Sequence, residues 1–590
     1  LLLGIAVAMA ALGCTGETTS QIPAVAPTEK PLASDERSAW FRDVTADSGI
    51  DFTYVNGEEM NRFTLLESLG GGVGFIDYDR DGWLDVVLPG GGVFETQGTS
   101  IHGRPTRLFR NLANGKFSDV SGECGLSGPE FYSHGCAVAD YDRDGWPDFA
   151  ITGYGRLALY HNEDNGRGKR TFVEVTRAAG LSDELWSTGA AWGDIDGNGY
   201  ADLFVCHYAD WSFENDPFCA RKNSPDKNAT AQRDVCPPQR FRPQPSALWL
   251  NRGDGTFRDA AGQQSLRADG YGLGVLVADL DRNGQPDIYV GNDVTANFLY
   301  TNHDGSLEER GLAAGVALDE NGEFDGSMGV DAGDWSGSGQ PSLWVTNFQD
   351  ELHALYVPSQ GGMYYHDSKA SGIAALGRRY VGFGTGFIDA DNDGWEDLVI
   401  ANGHVLRFPV GSSFRQRAVL LHNVERGGRR FFENKSAAGG SYFEQELLGR
   451  GLAVGDLDND GWPDLVVSHS NSPVVLLKNQ GGQIPRRHWL GVELAGRHGR
   501  DVAGATAVLE VAGRQLTRLA KGGGSYLSSG DRRLLFGLGE VDRGEARQTG
   551  RLTVHWPWGQ IQHWENLLPD AYYRVREGEA NPERLSYSLP

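Results

Sequence analysis

The chain predicts an all-β fold: a seven-bladed β-propeller whose N-terminal strand closes the last blade, followed by a small C-terminal β domain. Three observations carry this. An acidic loop recurs with one cadence, at "DYDRDGWLD" from Asp77, "DYDRDGWPD" from Asp140, "DIDGNGYAD" from Asp194, "DLDRNGQPD" from Asp279, "DWSGSGQPS" from Asp334, "DADNDGWED" from Asp389 and "DLDNDGWPD" from Asp456. A short apolar run leaves each loop, as in "LDVVLPGG" and "PDLVVSHS", and a "RLFRN"- or "ALWLN"-type strand follows. Such runs between Gly, Asn and Asp signals read as strands, and self-similarity at this period reads as a repeat array. Finally, "WFRDVTADSGI" at 40–50 is an F-x-D-V strand standing alone at the front, whereas the last unit, ending "VVLLKNQGG", lacks one. That offset predicts ring closure by the N-terminal strand, which removes exposed sheet edges.

Taken in chain order, "LLLGIAVAMAALGC" reads as a lipoprotein-type signal peptide with a truncated start, residues 1–14, with Cys14 as the lipidated residue. The apolar run is too short to span a bilayer and fits a signal core. Residues 15–38, rich in Thr, Pro, Ser and Ala, predict a flexible tether, residues 39–482 the propeller, 486–578 the C-terminal β domain and 579–590 a tail. Export permits disulfides. Cys219 and Cys236 bracket a long polar insertion at 209–245 and are expected to staple it. Cys124 and Cys136 are a second candidate pair, and Cys206, in the strand "DLFVCHY", is expected to be a buried thiol. The formal charge of −26 argues against a nucleic-acid partner.

Each loop presents alternate carboxylates around a glycine that lets the backbone curl. Several hard oxygen donors at one point suit Ca²⁺, and strands rather than helices flank the loop, so this is not an EF-hand. The expected ligands are Asp77, Asp79, Asp81 and Asp85; Asp140, Asp142, Asp144 and Asp148; Asp194, Asp196, Asn198 and Asp202; Asp279, Asp281, Asn283 and Asp287; Asp389, Asp391, Asp393 and Asp397; Asp456, Asp458, Asp460 and Asp464. The fifth loop keeps Asp334 and Gly339 but places Ser336, Ser338 and Ser342 where acids stand elsewhere. About six Ca²⁺ sites are therefore expected, the fifth being degenerate, with serine hydroxyls bonding that loop to itself.

Other features are weighed against plainer roles. Trp83, Trp146, Trp395 and Trp462 share one loop position; they read as an aromatic partner surface or as packing between blades. The insertion is a binding loop or a structural cover. "KGGGSY" at 521–526 lacks phosphate-loop spacing and reads as a bulge or hairpin. Asp293 in "GNDVTAN" and His404 in "ANGHV" follow strand ends, as parts of a central polar site or as turn scaffolding.

The loops resemble the FG-GAP/VCBS repeats of integrin α-chain propellers. "GNDVTANFLYTN", "GFGTGFIDADNDGWEDLVIANGHV" and "GRGLAVGDLDNDGWPDLVVSHS" resemble the bacterial UnbV and animal cartilage-acidic-protein family over residues 38–580. "HWLGVELAG", "DVAGATAVLEVAG", "KGGGSYLSSGD", "LLFGLGE" and "LTVHWPWGQIQHWENL" resemble the ASPIC/UnbV domain that follows the propeller in that family. The expected function is an exported, calcium-binding propeller lipoprotein, serving as an extracytoplasmic binding or adhesion module for a protein or glycan and touching the membrane only through its anchor. The alternatives are a propeller enzyme acting on an extracellular polymer and a structural subunit of an envelope complex.

Overall fold

Each repeat folds into one small antiparallel sheet, and the loop cadence explains why. The second repeat is representative. Its first strand, Ser133–Ala139, is buried throughout; the acidic loop reverses the chain into Asp148–Gly153; Arg156–Asp164 and Arg170–Glu174 complete the sheet in chain order. Burial falls from the first strand to the last, so the small-residue strands are innermost. In a computed structural model of the chain, residues 38–95, 99–128, 131–221, 232–481, 487–540 and 550–587 are described. Cys14, the apolar leader and nearly all of the expected tether lie outside them.

Among the described residues, seven sheets follow this plan, beginning at Gly74, Ser133, Ser187, Gly272, Val330, Gly382 and Gly449. The seventh takes its outer strand from the front of the chain: Phe41–Asp43 pairs antiparallel with Ser472–Asn479, Phe41 opposite Asn479. The inner strand of each sheet touches that of the next, and Gly449–Gly455 of the seventh touches Gly74–Ile76 of the first. The architecture is all-β and propeller-like. Separate apolar clusters fill the spaces between neighbouring sheets, as where Ala137, Ala150 and Leu159 meet Trp192, Leu203 and Trp249.

The C-terminal module is two further four-stranded sheets around their own core. Arg487–Ala495 pairs parallel with Tyr572–Arg576 and antiparallel with Leu534–Glu540; Thr506–Val511 lies between Arg514–Leu519 and Gly550–His555. Leu490, Leu509, Phe536, Leu552, Trp556 and Val575 are buried between them. The described part of the expected tail belongs to this module: Glu583–Arg584 pairs with Tyr573 and Arg574, and Tyr587 stands edge-on to Trp83, 6.5 Å between centroids.

"KGGGSY" is neither a free hairpin nor a bulge. Gly522 and Gly523 pair with Val277 and Leu276 of the fourth sheet's inner strand. Beyond them, Ser525 N–H donates to Val330 O, Leu527 O accepts from Cys136 N–H, and Ser529 N–H donates to Val73 O, joining this segment to the fifth, second and first sheets. The segment thus lies among the innermost strands. Its glycines are required by space: a Cβ on Gly522 would lie 1.7 Å from Trp192 O, and Gly523 has a φ of +71°.

Cys219 and Cys236 form a disulfide, Cα atoms 5.3 Å apart. The second expected pair does not form. Cys124 sits in the turn after the first sheet's outer strand, and Cys136 on the second sheet's inner strand; both are buried free thiols in one apolar cluster, as Cys206 is in another. Burial rather than cross-linking accounts for their placement.

Candidate metal loops

The acidic loops connect the first strand of each sheet to its second, and one set of hydrogen bonds repeats in them. The sixth-position glycine N–H donates to the first-position carboxylate, from Gly82 to Asp77 Oδ2 (3.1 Å) through Gly461 to Asp456 Oδ2 (2.7 Å). The seventh-position N–H donates to the fifth-position side chain, as from Trp146 to Asp144 Oδ1 (2.8 Å) and from Tyr200 to Asn198 Oδ1 (2.8 Å). The curl needs two left-handed residues: the glycine, φ +88° at Gly82, and the fourth position, φ +55° at Arg80 and +54° at Asn392. The second of these was not evident in the sequence.

The loops gather their acids. Asp77, Asp79 and Asp85 place carboxylate oxygens within 4.8 Å of one another, as do Asp140, Asp142 and Asp144, and Asp194, Asp196 and Asp202. Asp142 and Asp148 group with His161, and Asp391 and Asp397 with His422. The decisive detail is what these oxygens lack. Oδ1 of Asp77, Asp140, Asp194, Asp279 and Asp389 is buried without a hydrogen-bond partner, and so are Asp79 Oδ1 and Asp458 Oδ1. Buried carboxylate oxygens are ordinarily satisfied, so a set orphaned in register fits a hard cation. Burial, reinforced by Asp81, pushes Asp77 up to about 7. Burial does the same at Asp140, with Asp148 next, at Asp194, with Asp501 next, and at Asp279. Asp279 and Asp281 share their loop with Asn283, whose Nδ2 donates to Asn302 O at 2.9 Å.

The ninth-position acids are more committed. Asp85 accepts N–H bonds from Tyr78 at Oδ2 and Asn111 at Oδ1; Asp148, Asp202, Asp287, Asp397 and Asp464 repeat this with both oxygens. They bind the loop to the third strand as well as facing the cluster. An asparagine at or near the end of the third strand completes the joint across sheets in six of the seven. Asn162 Nδ2 donates to Tyr78 O of the preceding loop at 2.9 Å; Asn251, Asn302, Asn423 and Asn479 do likewise, and Asn111 reaches Leu457 O of the seventh. These asparagines were visible only as strand ends. The residue just before them adds charge: Arg110 pairs with Asp79 (2.7 Å) and Asp81 (3.0 Å), and Lys478 pairs with Asp458 and, at 3.4 Å, with Asp460.

The fifth loop has none of the orphaned carboxylate oxygens. Asp334 Oδ1 accepts from Ser338 N–H at 2.8 Å and from its hydroxyl at 3.3 Å, while Oδ2 takes Gly339 N–H at 2.8 Å. The serine closes the loop on itself, as its composition implied. The seventh loop is intermediate: Asp456 Oδ2 accepts from Tyr572 O–H at 2.7 Å, Oδ1 from Asp460 N–H at 3.1 Å, and burial pushes Asp460 up to about 7.

The C-terminal module sits against these loops. Trp558 Nε1 donates to Asp194 O at 2.7 Å and Arg514 to Asp393 O at 2.8 Å; Arg487 pairs with Asp391 at 2.6 Å and Arg518 with Asp389 at 3.3 Å. The aromatic positions are partly covered. Trp83 is buried beside Tyr587, Trp146 and Trp395 lie under Arg170 and Arg430 (each 4.0 Å to the ring), and Trp462 is half-buried. His404 and Asp293 do not touch. His404 Nε2 meets Gln349 Oε1 at 2.9 Å and its Nδ1 accepts from Leu406 N–H, whereas Asp293 accepts from Tyr208 O–H at 2.6 Å.

Comparison with known proteins agrees with both halves. The FG-GAP-like repeat family matches residues 77–151, 140–205 and 241–290, the FG-GAP repeat family 448–484, and the ASPIC and UnbV family 495–582. Cartilage acidic protein 1 from Homo sapiens is 25% identical over 507 residues, 83% of this chain and 69% of the relative. Integrin alpha-6 from Gallus gallus is 28% identical over 203 residues, 32% of this chain and 18% of the integrin. Among solved structures, the BP39L lectin from Burkholderia pseudomallei aligns with 10% identity and a TM-score of 0.41, covering 70% of this chain and 97% of that one.

Proposed function

We propose, for this member of the FG-GAP-repeat proteins that end in an ASPIC and UnbV domain, the role of an exported, calcium-stiffened binding scaffold. The observation that carries the calcium reading is the set of loop Oδ1 atoms buried without a partner, at the first position in Asp77, Asp140, Asp194, Asp279 and Asp389 and at the third in Asp458 of the seventh loop, where Asp456 Oδ1 is satisfied; the fifth loop has none, Asp334 being satisfied. In this reading the ring is a closed seven-bladed propeller. The return of the seventh inner strand to the first and the bond from Asn111 to Leu457 O support closure. Calcium sits in six loops, held by the first-, third-, fifth- and ninth-position side chains, and supplies the positive charge those carboxylates need. Coupled binding and folding then make the ion structural.

The relatives named for cartilage and for integrins, together with the Cys219–Cys236 disulfide, support placement outside the cytoplasm. Lipidation at Cys14 would tether the chain there. A protein or glycan partner meets the rim through Trp146, Trp395 and Trp462, the members of the aromatic arc that stay half-exposed. Calorimetric titration with Ca²⁺ tests the scaffold reading. Six equivalents with stability gained on binding are expected; one or none ends it. Glycan and protein arrays probed in Ca²⁺ and again in chelator test the rim, with binding lost in Trp395→Ala and Trp462→Ala.

A further inference from the structure

A second site lies where the inner strands begin, opposite the ends that carry the acidic loops. There a cavity of about 550 Å³ opens between the start of the fourth, fifth and sixth inner strands and the disulfide-bearing insertion. That volume is within the roughly 300–1,000 Å³ typical of small-molecule sites. Its walls are Leu69, Leu273, Met328, Phe348, Phe383 and Phe408, with the Cys219–Cys236 bridge on one side. Tyr526 of the C-terminal module packs edge-on against Phe383, 4.8 Å between centroids, and so supports the wall from within the ring.

The polar groups on this wall have one sign. Asp234, Asp293 and Asp350 line it with neutral Ser68, Tyr208, Gln239 and Gln349, and among the described lining residues there is no lysine, arginine or histidine. Asp350 is exposed. Asp234 is already occupied, Oδ1 by the N–H groups of Val235 and Arg407 and Oδ2 by that of Phe408. Asp293 is different. Its Oδ2 accepts from Tyr208 O–H at 2.6 Å, and among the described residues Oδ1 has no hydrogen-bond donor. Burial pushes this carboxyl up to about 6, which a bound cation would reverse. The next residue, Val294, also lines the cavity and is held at φ +55°, an outlier for a β-branched side chain. Backbone strain of this kind concentrates at ligand sites.

We propose that this cavity binds a small apolar molecule carrying an ammonium group, with Asp293 as counter-ion, Tyr208 fixing the carboxylate, and the Phe348, Phe383 and Phe408 side chains enclosing its apolar body; Phe383 and Phe408 already carry Arg450 and Arg221 on their faces, at 4.0 and 4.1 Å, so the charge is left to Asp293. A half-buried carboxylate with one oxygen free, set in an apolar wall, favours such a ligand over its neutral or anionic analogue.

Three probes of one shape separate charge from fit: 4-phenylbutylammonium, 4-phenylbutanol and 4-phenylbutanoate, titrated by calorimetry into the full chain at pH 7.5 in fixed Ca²⁺. The ammonium is expected to bind on the order of tenfold or more tighter than the alcohol, since hydrogen bonds to charged groups are the stronger ones, and the carboxylate weakest. Asp293→Asn is expected to bring the ammonium to the alcohol's affinity, and Val405→Trp, which fills the cavity, to abolish binding of both. An ammonium that binds no better than the alcohol, that is indifferent to Asp293→Asn, or that does not bind at all overturns the proposal. The wild-type comparison decides it even should a variant fold poorly. Because Ca²⁺ is held constant across all three titrations, the comparison is independent of the metal reading.

Discussion

Removing the divalent cation is the most informative perturbation, because its size and its pH dependence both follow from the loops. Each site saturated to a hundredfold over its dissociation constant stabilises the fold by about 2.7 kcal/mol, so six give about 16 kcal/mol. With an unfolding entropy of about 2.1 cal/mol/K per residue and roughly 500 folded residues, that shifts the melting temperature by about 15 °C. The pH arm fixes the sign. In the metal-free protein the first-position carboxyls of Asp77, Asp140, Asp194 and Asp279 stand at about 7, raised by burial above their unfolded value. Between the unfolded and folded values the folded chain holds more protons, so metal-free stability falls as pH rises toward 7. Calcium must displace those protons, so its own contribution rises with pH over the same window. At pH 5.5 one proton at each of these four sites costs calcium about 2 kcal/mol, about 8 of the 16 kcal/mol in all, and the shift shrinks to about half. Scanning calorimetry in Ca²⁺ and in EDTA, at pH 8 and pH 5.5, reads both. A shift below about 2 °C at pH 8, or one that grows on acidification, would refute the reasoning.

The remaining predictions concern single residues. Asp334→Ala is expected to leave calcium stoichiometry by plasma mass spectrometry unchanged, whereas Asp194→Ala loses one equivalent. Asn162→Leu removes donors to Tyr78 O and Pro147 O and an acceptor for Arg170; urea denaturation should show a loss of about 2–4 kcal/mol, the range for breaking a buried network. Gly522→Val drives a side chain into Trp192 O and is expected to make the C-terminal module susceptible to limited proteolysis at protease levels the parent chain withstands. Cys124, Cys136 and Cys206 should alkylate only in denaturant, and Cys219 and Cys236 only after reduction, by peptide mass spectrometry.

Much of this was legible because the repeat is periodic in chemistry as well as in hydrophobicity. Asp77-x-Asp79-x-Asp81-Gly82 announces a curled loop, and the lone strand at Phe41 announces the seventh sheet's missing partner. What escaped depends on contacts between units. The asparagine at or near the end of six third strands reads as a strand boundary, and only the stacking of sheets makes Asn302 a donor to Ile195 O, 107 residues away. "KGGGSY" carries no local sign that it lies among the inner strands, since its glycines answer to the backbone of Trp192 and Val275. Cys124 and Cys136 are close in sequence, but one occupies a turn and the other an inner strand, and spacing alone does not distinguish burial from bonding.

The fifth sheet shows that the acidic loop and the stitch between sheets are one device. Elsewhere the ninth-position aspartate accepts the N–H of the third-strand asparagine, and that asparagine's amide reaches the loop before it. Once Ser342 replaces the aspartate, the N–H at the asparagine position has no carboxylate to meet, and an orphaned buried donor is costly. The residue there is Pro358, which has no N–H; it pairs opposite Tyr364, as Asn111 pairs opposite Phe117. Losing the asparagine also loses the link to the fourth loop, and Tyr364 restores it: its hydroxyl donates to Leu280 O at 3.0 Å, the carbonyl equivalent to those the asparagines bind. Glu396 of the sixth loop in turn accepts Asp334 N–H at 2.7 Å. Ser338 in the loop, proline at the strand end and tyrosine for phenylalanine therefore form one coherent exchange, in which fixed hydrogen bonds stand where the other loops have unpartnered carboxylate oxygens.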